Sequence, residues 1–516
     1  MSGVEVATSS GTVRGLEEAG VRVFRGVPYG GDTSGEGRFQ PPRPPRSWRG
    51  VRDCIRYGPS CPQMTVEQML GVPVSAESDG LMGTRSSEPL TGEDCLVLNV
   101  WTPAARRSAG LPVLVWLHGG GWGTGSASWP LYDFTNLAQH GDVVVVGINH
   151  RVGLLGFLDL SFVSERCADS GNAGMLDVVA ALEWIRANIA GFGGDPGNVT
   201  VFGESGGGAK VATLLAMPAG RGLFHQAVAV SGSMLAAQQP DHAAGTAEVV
   251  LALVGVGQDV EKLQAVDVAQ LIEAEIALPG REGSALVRRR GLSPVLGPSL
   301  PEHPAQAIAG GLNSEVTLLS GCNRDESLGF LAHDHELWTL SADAVLHRLR
   351  LMLGDRAERM LAAYGAAHGA DTPTSTFIAI STDAMFRIPQ IRLAEAKVEG
   401  GGRPTYMHLF TWGPRDPRGR VRSPHGIDMP YFFDNVDKAP MSQGPHAGPL
   451  ASMMSGALSA LAHTGAPGHD GLPPWPPYTL ESRATMLLGL EPVVEHDPGG
   501  TERASWSEIK LPGLRG

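Results

Sequence analysis

Residues 198–217 read NVTVFGESGGGAKVATLLAM and decide the fold of this 516-residue chain. The apolar start, residues 198–202, predicts a strand, and the residues after the glycines have apolar positions at helical spacing. Between the two, GESGG at residues 203–207 predicts a sharp strand-to-helix turn, because glycine adopts the backbone angles that such a turn needs. The pattern indicates an exposed Ser205 hydroxyl, held in a strained backbone conformation.

The five-residue motif alone is weak evidence for a nucleophilic serine. The chain contains 69 Gly, so a serine with glycines two positions away on each side is nearly expected by chance. The alternative is therefore a glycine-rich turn that has no catalytic role. The placement of the motif between a strand and a helix favours a nucleophile.

Other segments continue the alternation of strands and helices. Short runs that are apolar on both faces predict buried strands, at residues 111–117, 142–148, 226–231, 316–320 and 404–410. Apolar positions three and four residues apart predict helices, at residues 173–190, 243–276, 341–364 and 449–462. This is an α/β pattern, with a central, mostly parallel sheet flanked by helices. No repeat or linker marks a boundary, so residues 1–516 are predicted to form a single domain with helical insertions over the active site.

Composition argues against several classes of protein. A formal charge of −13 disfavours binding to nucleic acid or to anionic lipid. No stretch is apolar enough to span a membrane, and the N-terminus as written lacks the features of a secretory signal. We expect a cytoplasmic protein that acts on a small molecule, without nucleic-acid or membrane partners, as a monomer or weak homo-oligomer.

Cysteine and histidine usage gives no sign of a metal site. Five cysteines are an odd, sparse set for so long a chain, which argues against a disulfide scaffold. His333 and His335 are close enough in sequence to suggest ligands, but no other ligand spacing accompanies them, and a polar loop is favoured. The sequence therefore predicts no metal and no cofactor.

A second motif with chemical meaning is HGGGW at residues 118–122, directly after the strand predicted at 111–117. Without side chains, its backbone N–H groups can point at one spot and a substrate can approach closely. Such donors stabilise the negative charge that develops during acyl transfer. A phosphate-binding loop is the alternative, but the Lys-Ser/Thr ending of that loop is missing.

HGGGW, GESGG and EDCLVLNV at residues 93–100 together resemble the type-B carboxylesterase family, which includes the cholinesterases. Further matches follow in the family's order: FRGVPY (24–29), RF (38–39), CPQ (61–63), NIAGFGGDP (188–196), SGS (231–233), GCNRDE (321–326) and PHGIDMPYF (424–432). The resemblance covers nearly the whole chain. It implies an α/β-hydrolase fold and a serine carboxylesterase.

The resemblance also implies a catalytic triad. Ser205 would be the nucleophile, Glu326 the orienting acid and His425 the base, in the chain order typical of this fold. Asp325 is the local competitor for the acid, and Glu326 is preferred only by its position in the family motif.

Further positions take their roles from the resemblance. Gly120 and Gly121 match the donors of the oxyanion hole, and Gly206 supplies the third N–H. The family usually has Ala at 206, so a slightly roomier pocket is expected here. Glu204 and Ser231 resemble residues that support the triad. The pairs Arg38–Glu93 and Arg151–Asp177 match ion pairs of the family that stabilise its fold.

The predicted substrates are uncharged alkyl or aryl esters. In cholinesterases a key aromatic residue lies between the cysteines matching Cys61 and Cys95, which form a disulfide in secreted members; whether they pair here is left open. Residues 63–94 contain no Phe, Tyr or Trp, so they offer no aromatic face to a choline cation. They offer adaptable apolar side chains instead: Met64, Met69, Leu70, Val72, Val74 and Met82.

Two further expectations concern the substrate pocket. Trp122 is a candidate lining residue. The segment before Pro294 lines the acyl pocket in relatives and carries Arg288, Arg289 and Arg290 here. If Arg288 or Arg290 faces the site, it would bind a carboxylate on the acyl group; a solvated turn is the alternative.

Two other functions compete with ester hydrolysis. The same triad would serve a biosynthetic acyltransferase, a cyclase or an amidase, because only the acceptor admitted to the pocket distinguishes them. A non-catalytic binding protein of the same fold is the more distant alternative, and the retained triad argues against it.

Overall fold

A computed structural model describes residues 3–71, 90–104, 110–278, 291–331, 333–368, 372–416, 419 and 421–507. Its described strands are β1 (Gly3–Thr8), β2 (Gly11–Glu18), β3 (Val21–Pro28), β4 (Val51–Asp53), β5 (Val97–Pro103), β6 (Leu111–Leu117), β7 (Val144–Ile148), β8 (Gly194–Glu204), β9 (Gln226–Val230), β10 (Thr317–Asn323), β11 (Thr405–Phe410), β12 (Ala484–Leu488) and β13 (Val493–His496). They join one sheet in the order β1-β2-β3-β5-β7-β6-β8-β9-β10-β11-β12-β13, with β4 paired to β2.

The centre of the sheet is parallel and its edges are antiparallel. From β7 through β6, β8, β9, β10 and β11 to β12, each neighbouring pair is parallel. Strands β1, β2, β3, β5 and β7 pair antiparallel at one side, as do β12 and β13 at the other. The predicted mostly parallel central sheet is confirmed. Among the strands with an antiparallel neighbour, β7 was predicted and the others were not. In β1, β2 and β13, which lie near the edges, burial is incomplete and the apolar pattern is weak.

Helices cover both faces of this sheet. They are α1 (Val66–Leu70), α2 (Thr135–Gly141), α3 (Gly153–Phe157), α4 (Ala173–Asn188), α5 (Gly206–Leu215), α6 (Pro240–Val254), α7 (Val260–Ala265), α8 (Val268–Ala277), α9 (Pro304–Ala309), α10 (Leu328–Leu331), α11 (Ala342–Leu353), α12 (Ala357–His368), α13 (Pro373–Thr382), α14 (Ile388–Glu399), α15 (Met429–Phe432), α16 (Ala447–Thr464) and α17 (Gly500–Ser505). All four predicted helical regions are confirmed as helical. The region 243–276 divides into three helices, because Gly255 ends α6 in the left-handed conformation and Asp259 and Asp267 cap the next two.

The hydrophobic core has two layers because side chains of a strand alternate between its faces. In β6, Val115 and Leu117 belong to the cluster that includes residues of α4, while Leu114 and Trp116 belong to the opposite cluster with residues of α16. A third cluster unites α11, α12, α13 and α14. The sheet therefore holds the ends of β6, β8, β9 and β10 rigidly beside one another. In the part of the chain that the structure describes, no helix combines the length and apolarity needed to cross a bilayer.

Candidate active site

Ser205 stands at the turn between β8 and α5, as the sequence predicts. Its backbone has φ 55° and ψ −122°, a conformation that is costly for a residue with a side chain. The Ser205 N–H donates to the carbonyl of Val230 at 2.9 Å. A Cβ at Gly207 would lie 2.0 Å from the Leu117 carbonyl oxygen, and one at Gly203 would lie 2.4 Å from the Gly207 carbonyl carbon. The close approach of backbone to backbone explains why these two positions are glycine.

The HGGGW loop lies beside this turn because β6 and β8 are neighbours in the sheet. A Cβ at Gly119 would be 3.5 Å from the Ser205 Cβ. Within the described part of the chain, no hydrogen bond uses the backbone N–H of Gly120, Gly121 or Gly206. These three N–H groups are available to a ligand, as an oxyanion hole requires.

The expected extra room at Gly206 is wrong. A Cβ at this position would lie 2.3 Å from the Gly121 carbonyl oxygen and 2.5 Å from the Gly121 nitrogen. The backbone of the HGGGW loop therefore occupies the space that a methyl group would need. Glycine at 206 brings the loop closer to the nucleophile and does not enlarge the pocket.

Glu326 and His425 form a short contact despite their separation of 99 residues. His425 Nδ1 lies 2.5 Å from Glu326 Oε2. The other oxygen, Oε1, accepts from the Asn323 N–H at 2.6 Å and from the Ser231 hydroxyl. Glu326 is fully buried. The fixed carboxylate holds the imidazole in one orientation, with Nε2 directed away from Glu326.

Asp325, the competing acid, lies in a different network. Its Oδ1 is 2.9 Å from Arg422 Nη1, and its Oδ2 accepts from the Ser423 N–H at 2.9 Å. This ion pair joins the turn after β10 to the loop that carries His425. The geometry therefore favours Glu326 as the partner of the histidine.

On its other side, His425 faces Glu204, the residue before Ser205. His425 Nε2 lies 3.2 Å from Glu204 Oε1, so the imidazole is at the nucleophile turn. Both Ser205 and His425 are described, and no hydrogen bond joins the serine Oγ to the imidazole. Such contacts are often long without substrate and tighten in the reacting complex.

The two carboxylates control the protonation of the imidazole. Burial lowers the pKa of His425, but the negative charges of Glu204 and Glu326 outweigh it and raise the pKa to about 9. Burial raises the pKa of Glu204 to about 7, opposed by the charge of His425 and assisted by that of Glu326. The imidazole and the Glu204 carboxyl therefore titrate as a coupled pair, in which the charge on one group changes the pKa of the other.

A third buried carboxyl near His425 is that of Asp428, in the PHGIDMPYF motif. Asn323 Nδ2 donates to its Oδ1 at 3.0 Å, and Oδ2 has no partner among the described residues. Burial, followed by the charges of Glu326 and Glu204, raises the pKa of Asp428 to about 8. Its spacing of three residues after His425 is the sequence signal that places it here.

Two aromatic rings that the sequence did not reveal enclose His425. The ring centres of Phe330 and Phe386 are each 4.9 Å from the imidazole centre. Phe386 lies in a π-helical turn, Asp383–Arg387, between α13 and α14; such turns occur often at functional sites. The helical insertions thus contribute directly to the site, and no local pattern predicts which of their aromatic residues would do so.

The predicted pocket residues are only partly described. Trp122 packs edge-on against Phe157 with ring centres 5.0 Å apart. Met69 Sδ lies 4.0 Å from the position that a Cβ of Gly121 would take, so part of the apolar segment does meet the loop. Outside the described residues lie Val72, Val74, Met82, Arg288, Arg289 and Arg290.

Both implied ion pairs form. Arg38 contacts Glu93 with two nitrogens, at 2.6 and 2.7 Å. Arg151 contacts Asp177 in the same two-point manner, at 2.8 and 2.7 Å, and both side chains are fully buried.

All five cysteines are buried free thiols. Cys61 and Cys95 lie together, since a hydrogen bond from Cys61, together with burial, raises the pKa of Cys95 well above its usual value. Among the described residues, no group of three or more His, Cys, Asp or Glu is arranged to hold a metal ion.

Comparisons with known proteins find similarity over nearly the whole chain. The family model described as "Carboxylesterase family" matches residues 2–506. The para-nitrobenzyl esterase of Bacillus subtilis (strain 168) is 36% identical over 507 residues, covering 96% of this chain and 97% of that protein. The phenmedipham hydrolase of Pseudarthrobacter oxydans is 34% identical, with 94% of each chain covered. A solved structure of a carboxylesterase from Geobacillus stearothermophilus superposes with a TM-score of 0.83 at 35% identity, covering 97% of this chain and 99% of that one.

Proposed function

This chain belongs to the carboxylesterase family, and we propose that Ser205, His425 and Glu326 carry out its hydrolysis of carboxylic esters. The α/β-hydrolase fold and the ester hydrolase activity that the resemblance implied are confirmed. The roles of individual residues are the proposal. The observation that supports them best is the 2.5 Å contact of Glu326 with His425, whose Nε2 faces the nucleophile turn.

In the first half of the reaction, Ser205 Oγ attacks the ester carbonyl and transfers its proton to His425 Nε2. Glu326 fixes the tautomer through Nδ1 and stabilises the imidazolium that forms. The tetrahedral intermediate then expels the alcohol, which leaves with the proton from Nε2. Water repeats the sequence on the acyl-enzyme and releases the acid.

The negative charge that develops on the carbonyl oxygen needs donors throughout both halves. Gly120, Gly121 and Gly206 are proposed to supply them, because their N–H groups make no hydrogen bond within the described chain. Donors of this kind are worth about 3–4 kcal/mol each in the transition state.

The proposed substrates are uncharged alkyl or aryl esters. Next to the proposed oxyanion donors, Met69 presents a polarizable apolar group, and residues 63–94 contain no aromatic side chain. The name of the Bacillus subtilis relative, a para-nitrobenzyl esterase, also favours an uncharged aromatic ester. A carboxylate-binding role for Arg288 or Arg290 stays a prediction; unchanged ratios of hemisuccinate to butyrate ester hydrolysis in their alanine variants would contradict it.

As a carboxylesterase, the chain acts on small ester substrates. A cytoplasmic location and a monomeric or weakly associating state are proposed as well. The unpaired Cys61 and Cys95 thiols support a reducing compartment.

Replacing the nucleophile tests the proposal directly. With p-nitrophenyl acetate and butyrate, we expect Ser205→Ala to lower kcat by about 10⁶-fold, as in other serine hydrolases that lose the nucleophile. A fluorophosphonate probe should add one label to the wild-type protein and none to the variant. Full activity in Ser205→Ala would refute the assignment.

A further inference from the structure

Lys210 is a fully buried lysine on α5, five residues after the nucleophile. Its Nζ donates to the backbone carbonyls of His118 at 3.1 Å and Gly121 at 3.0 Å. It also lies 5.6 Å from the ring centre of Trp122. In the part of the chain that the structure describes, no carboxylate forms an ion pair with it. Burying a cation without a counter-ion is costly, so this lysine calls for a functional explanation.

The oxyanion loop is the HGGGW segment, residues 118–122. The two carbonyls that Lys210 binds lie on either side of the Gly119 and Gly120 carbonyls in this loop. Between them, the Gly119 carbonyl lies 2.9 Å from His118 Nδ1. The Gly120 carbonyl accepts from the backbone N–H of Thr124 at 3.1 Å and from its hydroxyl at 3.2 Å. Four successive carbonyl oxygens, from residue 118 to residue 121, are therefore all bound within the protein.

This arrangement determines where the loop N–H groups point. In a planar trans peptide, the carbonyl and the following N–H point in opposite directions. His118 and Thr124 fix the carbonyls of Gly119 and Gly120. The N–H groups of Gly120 and Gly121, in the same two peptides, therefore point away from His118 and Thr124 and stay free to bind a ligand. Lys210 binds the carbonyls of the preceding peptide, at His118, and of the following peptide, at Gly121. The loop therefore cannot rotate as a unit without breaking these hydrogen bonds.

The protonation of these groups is consistent with that role. Burial lowers the pKa of Lys210 to about 7, and an amine in either protonation state has the two N–H bonds that the carbonyls require. Burial and the charge of Lys210 lower the pKa of His118 to about 3. A neutral His118 donates from Nδ1 to the Gly119 carbonyl.

We propose that Lys210 is a positioning residue for ester hydrolysis, which clamps the carbonyls of His118 and Gly121 and thereby aligns the Gly120 and Gly121 N–H groups with the developing oxyanion. The inference rests on the proposed assignment of these N–H groups. The contacts to substrate are made by the loop, and Lys210 acts through it.

The chain offers a matched control in Lys397. This lysine is also buried, and its Nζ donates to two backbone carbonyls, those of Ser314 at 3.1 Å and Gly401 at 3.4 Å. It lies on α14, and its carbonyl partners are outside the site. Lys397→Met likewise removes a buried amine that donates to two backbone carbonyls, so any loss common to both variants reports stability and not the oxyanion loop.

The test measures kcat and KM for p-nitrophenyl butyrate, expressed per active site titrated with a fluorophosphonate, so that unfolded protein is not counted. We expect Lys210→Met to lower kcat by about 10- to 100-fold, less than complete loss of a donor, with KM within about two-fold. Lys397→Met should keep the wild-type kcat. Lys210→Gln, which keeps a neutral donor, should fall between the two and serves if the methionine variant does not fold.

A trifluoromethyl ketone provides a second readout, because Ser205 adds to it and forms an oxyanion in the loop. Its affinity should fall by the same factor as kcat in Lys210→Met. A kcat within two-fold of wild type in both Lys210 variants, or an unchanged ketone affinity, would overturn the inference. An active Ser205→Ala would instead overturn the proposed function, so the two failures are distinguishable.

Discussion

The active site is built from two regions that use different physical means. The elbow region, residues 117–124, 203 and 205–210, comes from the ends of the neighbouring strands β6 and β8 and the start of α5. The acid–base region, residues 204, 321–331, 383–387 and 424–428, comes from segments that are distant in sequence. In the elbow region, backbone groups contact backbone groups where any side chain would collide, as at Gly207. In the acid–base region, buried carboxylates surround one imidazole.

The elbow region determines the geometry of the site, and the acid–base region determines its protonation. The elbow region contains one buried cation, Lys210, and otherwise acts through the placement of peptide groups. A change there should lower kcat equally at every pH. The acid–base region determines which atoms hold protons, so a change there should also move the pH profile. Each of the following substitutions tests one side of this contrast.

The largest effect is expected in the acid–base region, from Glu326→Gln. A Gln side chain cannot stabilise the imidazolium, and its amide can hold the wrong His425 tautomer. We expect kcat to fall by about 10⁴-fold, as when the acid of a comparable triad is made neutral. Steady-state kinetics with p-nitrophenyl butyrate measure this loss.

Asp325→Asn is the matched control for that prediction. It weakens the contact with Arg422 and should lower the melting temperature while leaving kcat near the wild-type value. A loss of activity in Asp325→Asn together with an active Glu326→Gln would transfer the role of the acid to Asp325.

A smaller effect is expected in the elbow region, from Gly206→Ala. The added methyl would meet the Gly121 backbone at 2.3 Å, so the oxyanion loop has to move. We expect kcat to fall by about ten-fold, roughly the loss of part of one donor interaction, with no change in the shape of the pH profile.

Gly245→Ala is its control, because this glycine lies inside α6 with nothing near its Cβ position. It should raise the free energy of unfolding by about 0.5–1 kcal/mol and leave kcat unchanged. Full activity in Gly206→Ala would contradict this prediction, because it would show that the oxyanion loop can move without a loss in kcat.

The smallest effect is a shift of the pH profile by Glu204→Gln. The negative charge 3.2 Å from Nε2 favours protonated His425 and raises its pKa. Removing that charge lowers the pKa, so the basic form needed to accept the serine proton persists to lower pH. We expect the acidic limb of kcat/KM to move down by about one pH unit. No movement, or movement to higher pH, would contradict the proposed coupling.

The two regions also differ in how much of them the sequence predicts. The turn at Ser205 and the loop before Trp122 are local patterns, and the structure has both where they were predicted. The assignment of Glu326 over Asp325 depended on the family resemblance. Phe386 could not have been found, because its contact with His425 depends on how a π-helical turn packs across the chain.

The sequence by itself determined the parallel centre of the sheet and the strand-to-helix turn, because apolar runs and glycine spacing act over a few residues. Only the tertiary structure decided the environment of the site. It placed Glu204 and Glu326 on opposite sides of one histidine among 16. It also placed the Gly121 backbone against Gly206, where the sequence had led us to expect a roomier pocket. These outcomes depend on distances between segments far apart in the chain, which packing sets and local pattern does not encode.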